Sequence, residues 1–325
     1  MNHPKHALLA ILLLVVLAAI PAPARAEWTS ACVPGTAAPL CHFWKGKLKW
    51  VDDGDTIDVK LANRKRYRST VRVRIAGIQA MEQYVYTSHP RERRGECHAV
   101  QATARLEQLI KQGHGIVHLA AQDPTSLSGT RRLRRSVSVK LHGAWRDVGE
   151  ILVAEGHALW LPSTVEWAWN TTFSTLAQQA ATRGVNLWDS DVCGVGPSEG
   201  AALRVKVHPN AKGNDFDNVN GERVKIENLD PVNPAPLGGW WLRDSTLRRF
   251  YFPSWAQVPP GGSITVRVGV GTDTDYSFYW GLRTPLFENP KADGHGMGDG
   301  AYLFDPQGDL RAWLIYPCRF ACPPS

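Results

Sequence analysis

Val71-Arg-Val-Arg-Ile75 alternates strictly between apolar and cationic residues, and this alternation decides how the first half of the chain folds. Successive side chains of an extended strand point to opposite faces, so Val71, Val73 and Ile75 share one face while Arg72 and Arg74 project together from the other. Upstream, Gly46-Lys-Leu-Lys-Trp-Val51 and Thr56-Ile-Asp-Val-Lys60 alternate on either side of Asp53-Gly54, which predicts a hairpin. Downstream, residues 98–112 carry Val100, Ala104, Leu106, Leu109 and Ile110 near helical spacing and stop at Gly113. Strands over 115–121 and 136–141 and helices over about 147–156 and 171–182 follow. The order, a small β meander and then strands interleaved with three helices, predicts an α+β unit.

At 325 residues the chain is long enough for two folded units. Its 43% hydrophobic and 21% charged residues exclude a disordered polymer, and 29 Gly and 22 Pro without a triplet period exclude collagen. The one long apolar run lies at the start. Lys5 precedes the apolar stretch 7–20, and Ala24-Arg-Ala26 predicts cleavage before Glu27, so residues 1–26 read as a signal peptide. That run is too short to span a bilayer, which predicts a secreted or periplasmic protein with no stable membrane insertion after cleavage. Cys32, Cys41, Cys97, Cys193, Cys318 and Cys322 all lie outside the signal, and an even number in an exported chain predicts disulfides. Proximity suggests Cys32–Cys41 and Cys318–Cys322, which leaves Cys97 with Cys193.

The stretch Gly194-Val-Gly-Pro-Ser-Glu-Gly200 has linker composition. It separates an N-terminal segment, 27–44, and a first domain, 45–193, from a second domain, 201–325. Residues 27–195 hold 22 Lys and Arg against 16 Asp and Glu, clustered at 64–66, 91–94 and 131–135, and such runs favour a polyanionic partner. The second domain gives short strand signals at 203–207, 224–227, 240–243, 250–252, 263–269, 278–280, 301–304 and 312–316, with a hairpin turn at Asp305-Pro-Gln-Gly308. Spacing of this kind predicts an all-β sandwich.

Five ordered blocks then resemble the thermonuclease (staphylococcal-nuclease-like) family. They are Val51-Asp-Asp-Gly-Asp-Thr-Ile57, Val73-Arg-Ile-Ala-Gly-Ile-Gln-Ala-Met-Glu82, an Arg-rich run leading into a strand, Val148-Gly-Glu-Ile-Leu-Val-Ala-Glu-Gly156 and Gly184-Val-Asn-Leu-Trp188. The resemblance implies an OB-fold barrel with three helices that hydrolyses phosphodiester bonds of DNA and RNA with little sequence preference. It places the catalytic groups on Arg74, Glu82 and a second arginine. Core-facing Val137, Val139 and Leu141 favour Arg134 for that role, whereas the apolar Leu133 favours Arg135; Arg134 is the choice. Calcium is the implied ion, with Asp55, Gln79 and the Ala80 carbonyl as its ligands. Gln79 stands where the family has an aspartate, which removes one negative charge and leaves another divalent ion open. Tyr84, Tyr86, Arg93 and Arg94 combine rings and cations in a loop suited to single-stranded bases and phosphates.

The segments Val224-Lys-Ile-Glu-Asn228, Gly239-Trp-Trp-Leu-Arg-Asp-Ser245, Phe250-Tyr-Phe-Pro253 and Tyr279-Trp-Gly281 resemble a lamin tail domain, an immunoglobulin-like sandwich. That implies a binding or tethering role toward envelope material, nucleic acid or another protein. Two functions stand side by side: a secreted metal-dependent nuclease, and a catalytically weak or inactive exported module that binds nucleic acid or a surface.

Overall fold

The computed structural model describes residues 26–33, 39–62, 70–84, 95–129, 131–194, 196 and 200–322. Strand pairing begins further upstream than the alternation predicts. β1 (Trp28–Ala31) pairs with the start of β2 (Leu40–Asp53), and β2 turns back onto β3 (Thr56–Leu61). β1 and the start of β2, both within the stretch 27–44 expected to stand apart from the first domain, are therefore paired into its sheet. β4 (Thr70–Ile75), β5 (Ile78–Ala80), α1 (Ala99–Gln112) and β6 (Ile116–Ala121) follow. Then come β7 (Leu127–Ser128), β8 (Arg132–Leu141), β9 (Ala144–Asp147), α2 (Val148–Ala154), β10 (Ala158–Trp160) and α3 (Asn170–Arg183).

Pairings β2–β3, β3–β4, β4–β8, β8–β6 and β6–β2 return to the starting strand, so the sheet closes on itself. Only β4–β8 is parallel among these. The inward row is apolar and sealed: Ile57, Val59, Val73, Ile75, Val137 and Val139 are all buried. Helix α1 packs Ala102, Leu106, Leu109 and Ile110 inward; the last three lie on the face its spacing predicts, whereas Val100 and Ala104, expected on the same face, are exposed because the buried stripe runs through Ala99, Ala102 and Thr103 instead. Helix α2 starts at Asp147, whose carboxylate accepts the Glu150 N–H at 3.1 Å.

His98 precedes α1 in the left-handed region, φ 70°, with its Nε2 2.8 Å from His157 Nδ1. Burial, reinforced by His157, pulls the His98 imidazole down to about 4. It stays neutral in the folded chain while the unfolded chain protonates below 6.5, so stability present above pH 6.5 is lost as pH falls toward 4. The urea midpoint is expected to drop across that window, and to drop less in His98→Asn, a residue that tolerates the left-handed backbone.

The second half is built of β11 (Leu203–His208), β12 (Arg223–Asn228), β13 (Ala235–Pro236), β14 (Trp241–Asp244) and β15 (Arg249–Tyr251). It continues with β16 (Gln257–Val258), β17 (Ser263–Arg267), β18 (Ser277–Tyr279), β19 (Asp299–Phe304) and β20 (Leu310–Tyr316). One four-stranded sheet runs β11-β12-β17-β18 and another β15-β14-β19-β20. Val224, Ile226, Ile264 and Val266 of the first share an apolar cluster with Leu242, Ala301 and Leu303 of the second. The turn at 305–308 joins β19 to β20, with the Gly308 N–H donating to Asp305 O at 3.0 Å.

The other side of the second sheet faces the first half. Trp241, Tyr302, Phe304, Leu310 and Ile315 belong to the same apolar cluster as the closed ring and α3. Trp188 meets Trp313 edge to face at 5.4 Å. On α3, Gln178 Oε1 accepts the Arg319 N–H at 2.6 Å, and Asn170 Nδ2 donates to His295 O at 3.0 Å.

All three expected disulfides form: Cys32–Cys41, Cys97–Cys193 and Cys318–Cys322. Cys97–Cys193 bridges 96 positions of sequence. In the chain-entropy picture a loop of that length restricts the unfolded chain by about 4–5 kcal/mol. Cys97→Ser with Cys193→Ser is expected to lose that order of stability in guanidinium unfolding, and the Cys32–Cys41 pair distinctly less. Among the described residues no helix is long and apolar enough to cross a membrane.

Candidate active site

Two glycines let three chain segments converge. A Cβ on Gly54 would lie 2.6 Å from Ala80 Cβ and 2.9 Å from Ala102 Cβ, so only glycine lets the β2–β3 turn press onto β5 and α1. Gly77, at φ 78°, turns the chain from β4 to β5 where a Cβ would lie 2.8 Å from the Phe173 ring. Asp55 is thereby carried to β5, and its Oδ2 accepts the Ala80 N–H at 2.9 Å. Strand register places Thr56 opposite Arg74 and Arg74 beside Arg134, so these three side chains form one row.

Alternation assigns Arg74 to the outward face, and that face is covered at this point. Arg74 is 5% exposed and Asp55 1%. Arg74 Nη1 is ion-paired with Asp55 Oδ1, which also accepts the Thr56 hydroxyl at 3.0 Å. Arg74 Nη2 donates to Ile78 O at 3.2 Å and to Gln79 Oε1. The Gln79 amide nitrogen then donates to Ala80 O at 3.1 Å and to Glu82 Oε1 at 2.9 Å. The reverse orientation of this amide would set its oxygen against a carbonyl and a carboxylate, so the network itself fixes it. Arg72, by contrast, stays at the surface and pairs with Asp58 at 3.0 Å and Asp52 at 3.2 Å.

Burial is the main electrostatic force in this cluster. It raises the Glu82 carboxyl, with Asp53 adding like charge and Arg74 opposing. Burial likewise raises Asp53, against the pull of Arg74. It lowers Arg74 to about 10, which still leaves the guanidinium charged at neutral pH. A carboxylate that binds protons more readily than usual is a better general base near neutrality.

Register separates the two candidate second arginines. Arg134 lies beside Arg74, is half-buried, and makes no side-chain hydrogen bond or ion pair among the described residues. Arg135 points to the other face, is 1% exposed, and donates to Pro124 O at 2.7 Å and Arg134 O at 2.7 Å. Its guanidinium lies over the Trp44 ring at 4.5 Å from the centroid. Arg135→Ala is expected to cost on the order of 3 kcal/mol in urea unfolding, since it empties a buried site and orphans carbonyls. Arg134→Ala is expected to cost under about 1 kcal/mol.

The predicted calcium ligands are adjacent, and as arranged they do not fit the ion. Calcium takes about six to eight oxygens, most of them anionic or carbonyl. Here both Asp55 oxygens, the Ala80 carbonyl, Gln79 Oε1 and Glu82 Oε1 each face an N–H or O–H proton of the cluster. Among the described residues no group of three or more His, Cys, Asp or Glu is arranged to hold a metal. Tyr84 is 44% exposed beside the site, while Tyr86, Arg93 and Arg94 lie outside the described residues.

Sequence reasoning missed Glu96, whose Oε2 accepts the Glu82 N–H at 2.6 Å. The one available signal was its place next to Cys97, which the long-range disulfide fixes. It also missed Arg132, whose charge reaches both Asp53 and Arg74. The chain matches no known protein-family model, and no curated protein matches it.

Proposed function

We propose that the chain is an exported phosphodiesterase acting on DNA or RNA, with a staphylococcal-nuclease-like first domain and a lamin-tail-like second one. The reading takes the closed ring with its three helices as an OB-fold and the paired four-stranded sheets as an immunoglobulin-like sandwich. One observation carries the chemistry: Arg74 and Glu82 are joined through Gln79, with Arg134 in register beside Arg74.

Hydrolysis of a phosphodiester needs a water stripped of its proton and cations to meet the charge that builds on phosphorus. Glu82 takes the proton as the water oxygen attacks. Arg134 and Arg74 donate to the non-bridging oxygens, and cleavage of the P–O5′ bond leaves a 3′-phosphate, as the family resemblance implies, while the departing 5′-oxygen takes a proton from solvent and leaves as a hydroxyl. Asp55 and Thr56 hold Arg74 in place. No step is assigned to calcium.

The deciding experiment incubates the purified mature chain with plasmid and single-stranded DNA, beside Glu82→Gln. Cleavage by the unaltered protein, reduced about 10²–10⁴-fold in the variant, supports this reading. Equal cleavage by both ends it. A second reading is favoured by a single feature: both terminal nitrogens of Arg74 are already engaged, Nη1 by Asp55 and Nη2 by Ile78 O and Gln79. On that reading the chain binds nucleic acid without cutting it, and retention on DNA falls steeply with salt.

A further inference from the structure

Glu82 and Glu96 grip each other at two points. The Glu96 N–H donates to Glu82 O at 2.8 Å, and Glu96 Oε2 accepts the Glu82 N–H at 2.6 Å. The second carboxylate oxygen, Oε1, is ion-paired with Arg249 of β15, in the other half of the molecule. The two side chains are 7% and 12% exposed, so the pair is largely shielded from water. Arg249 lies over the Trp241 ring at 5.2 Å, and Trp241 stacks on Phe304 at 4.1 Å and 3°. From the same hairpin the buried Arg243 brings Nη1 within 3.9 Å of Met81 Sδ, while its Nε donates to Asp244 O at 3.1 Å. The next residue along from Glu96 is anchored too: Cys97 bonds Cys193, whose N–H donates to Asp309 Oδ1 at 2.8 Å.

We propose that Arg249 and Glu96 are positioning residues, through which the second half of the chain sets the backbone of Glu82. The inference rests on the role given to Glu82 above. A carboxylate with one oxygen on a backbone N–H can rotate about its Cγ–Cδ bond, and a guanidinium on the other oxygen stops it. Without Arg249, Glu96 becomes a buried charge beside a second carboxylate with nothing holding its Oε1, and it swings toward water. The Glu82 N–H then loses its acceptor and the base loses its register. A displacement of about 1 Å at a catalytic group can cost on the order of 10² in rate.

The test uses full-length Arg249→Ala, Arg249→Lys and, as an interface control, His295→Ala, which removes a stack on Trp167 at 4.1 Å. Amide hydrogen exchange of Glu82 is read by NMR beside kcat and KM on a short single-stranded DNA. In Arg249→Ala the Glu82 amide is expected to exchange about tenfold faster or more, and kcat to fall about 10²-fold with KM little changed. Lysine restores most of both, because a single Nη2–Oε1 contact is enough to hold the oxygen. His295→Ala moves neither. Unchanged protection of the Glu82 amide in Arg249→Ala overturns the proposal, as does a loss confined to KM. An unaltered protein that cleaves nothing sinks the nuclease reading alone, and the exchange comparison still decides whether Arg249 sets Glu82.

Discussion

Arg74→Ala is expected to unfold at markedly lower denaturant than the parent chain, with a loss of about 3–5 kcal/mol. The reason is the partner left behind. Asp55 is 1% exposed, and Arg74 supplies the opposing charge to its Oδ1. Removing the guanidinium strands an anion that water cannot reach, and it also frees Ile78 O and Gln79 Oε1 from their donor. The double variant Arg74→Met, Asp55→Asn removes both charges and is expected to recover much of the loss, because desolvation of the pair disappears with its attraction. Urea midpoints of the three proteins check this. If the single and double variants are equally unstable, the pair is not what holds the β2–β3 turn to β4. On the proposed nuclease reading both variants lack Arg74 and neither is expected to cleave DNA, so a recovery of stability without cleavage would separate the two roles of this arginine.

The second large effect is a gain. Gln79→Asp exchanges an amide that donates to Glu82 for a carboxylate that repels it, and so leaves Asp55, position 79 and Glu82 facing one another as anions. Without metal the variant is expected to be less stable than the parent. With calcium at about a hundred times its dissociation constant, linkage restores about 2.7 kcal/mol, and the melting temperature rises with calcium concentration. The parent chain, in which Gln79 Nε2 already satisfies Glu82 and Ala80 O, is expected to show no such rise. Thermal melts of both proteins across a calcium series test this without reference to catalysis. An equal rise in the parent would mean that the amide yields easily to the ion.

The outline of the fold was legible because it rests on local periodicity. The apolar spacing of 98–112 marks α1 (Ala99–Gln112) to within a residue, and the alternation at 71–75 marks β4. The disulfides followed from proximity because two pairs are sequence-local. Alternation tells which side of a strand a residue occupies and says nothing of what covers that side. Arg74 was placed on the right face, but its burial comes from a glycine turn arriving from β2–β3 and from β5, which no two-residue period encodes. Counting back from core-facing Val137 and Val139 favours Arg134 over Arg135, but only the parallel register with β4 shows that Arg134 lies beside Arg74. The link from Glu96 to Arg249 spans 153 positions and leaves no periodic trace. The three-residue strands β5 and β10 are equally silent, since they are held by pairing with each other.

The apolar seam shared by the two halves carries a thermodynamic consequence of its own. Tyr302 and Phe304 are completely enclosed, and Trp241 and Ile315 nearly so, by a cluster that also contains Trp188 and α3. Neither half can melt without wetting aromatic surface on the other, so calorimetry is expected to record a single endotherm rather than two. A chain severed within 194–200 would yield fragments with sticky aromatic faces that cling to each other or precipitate.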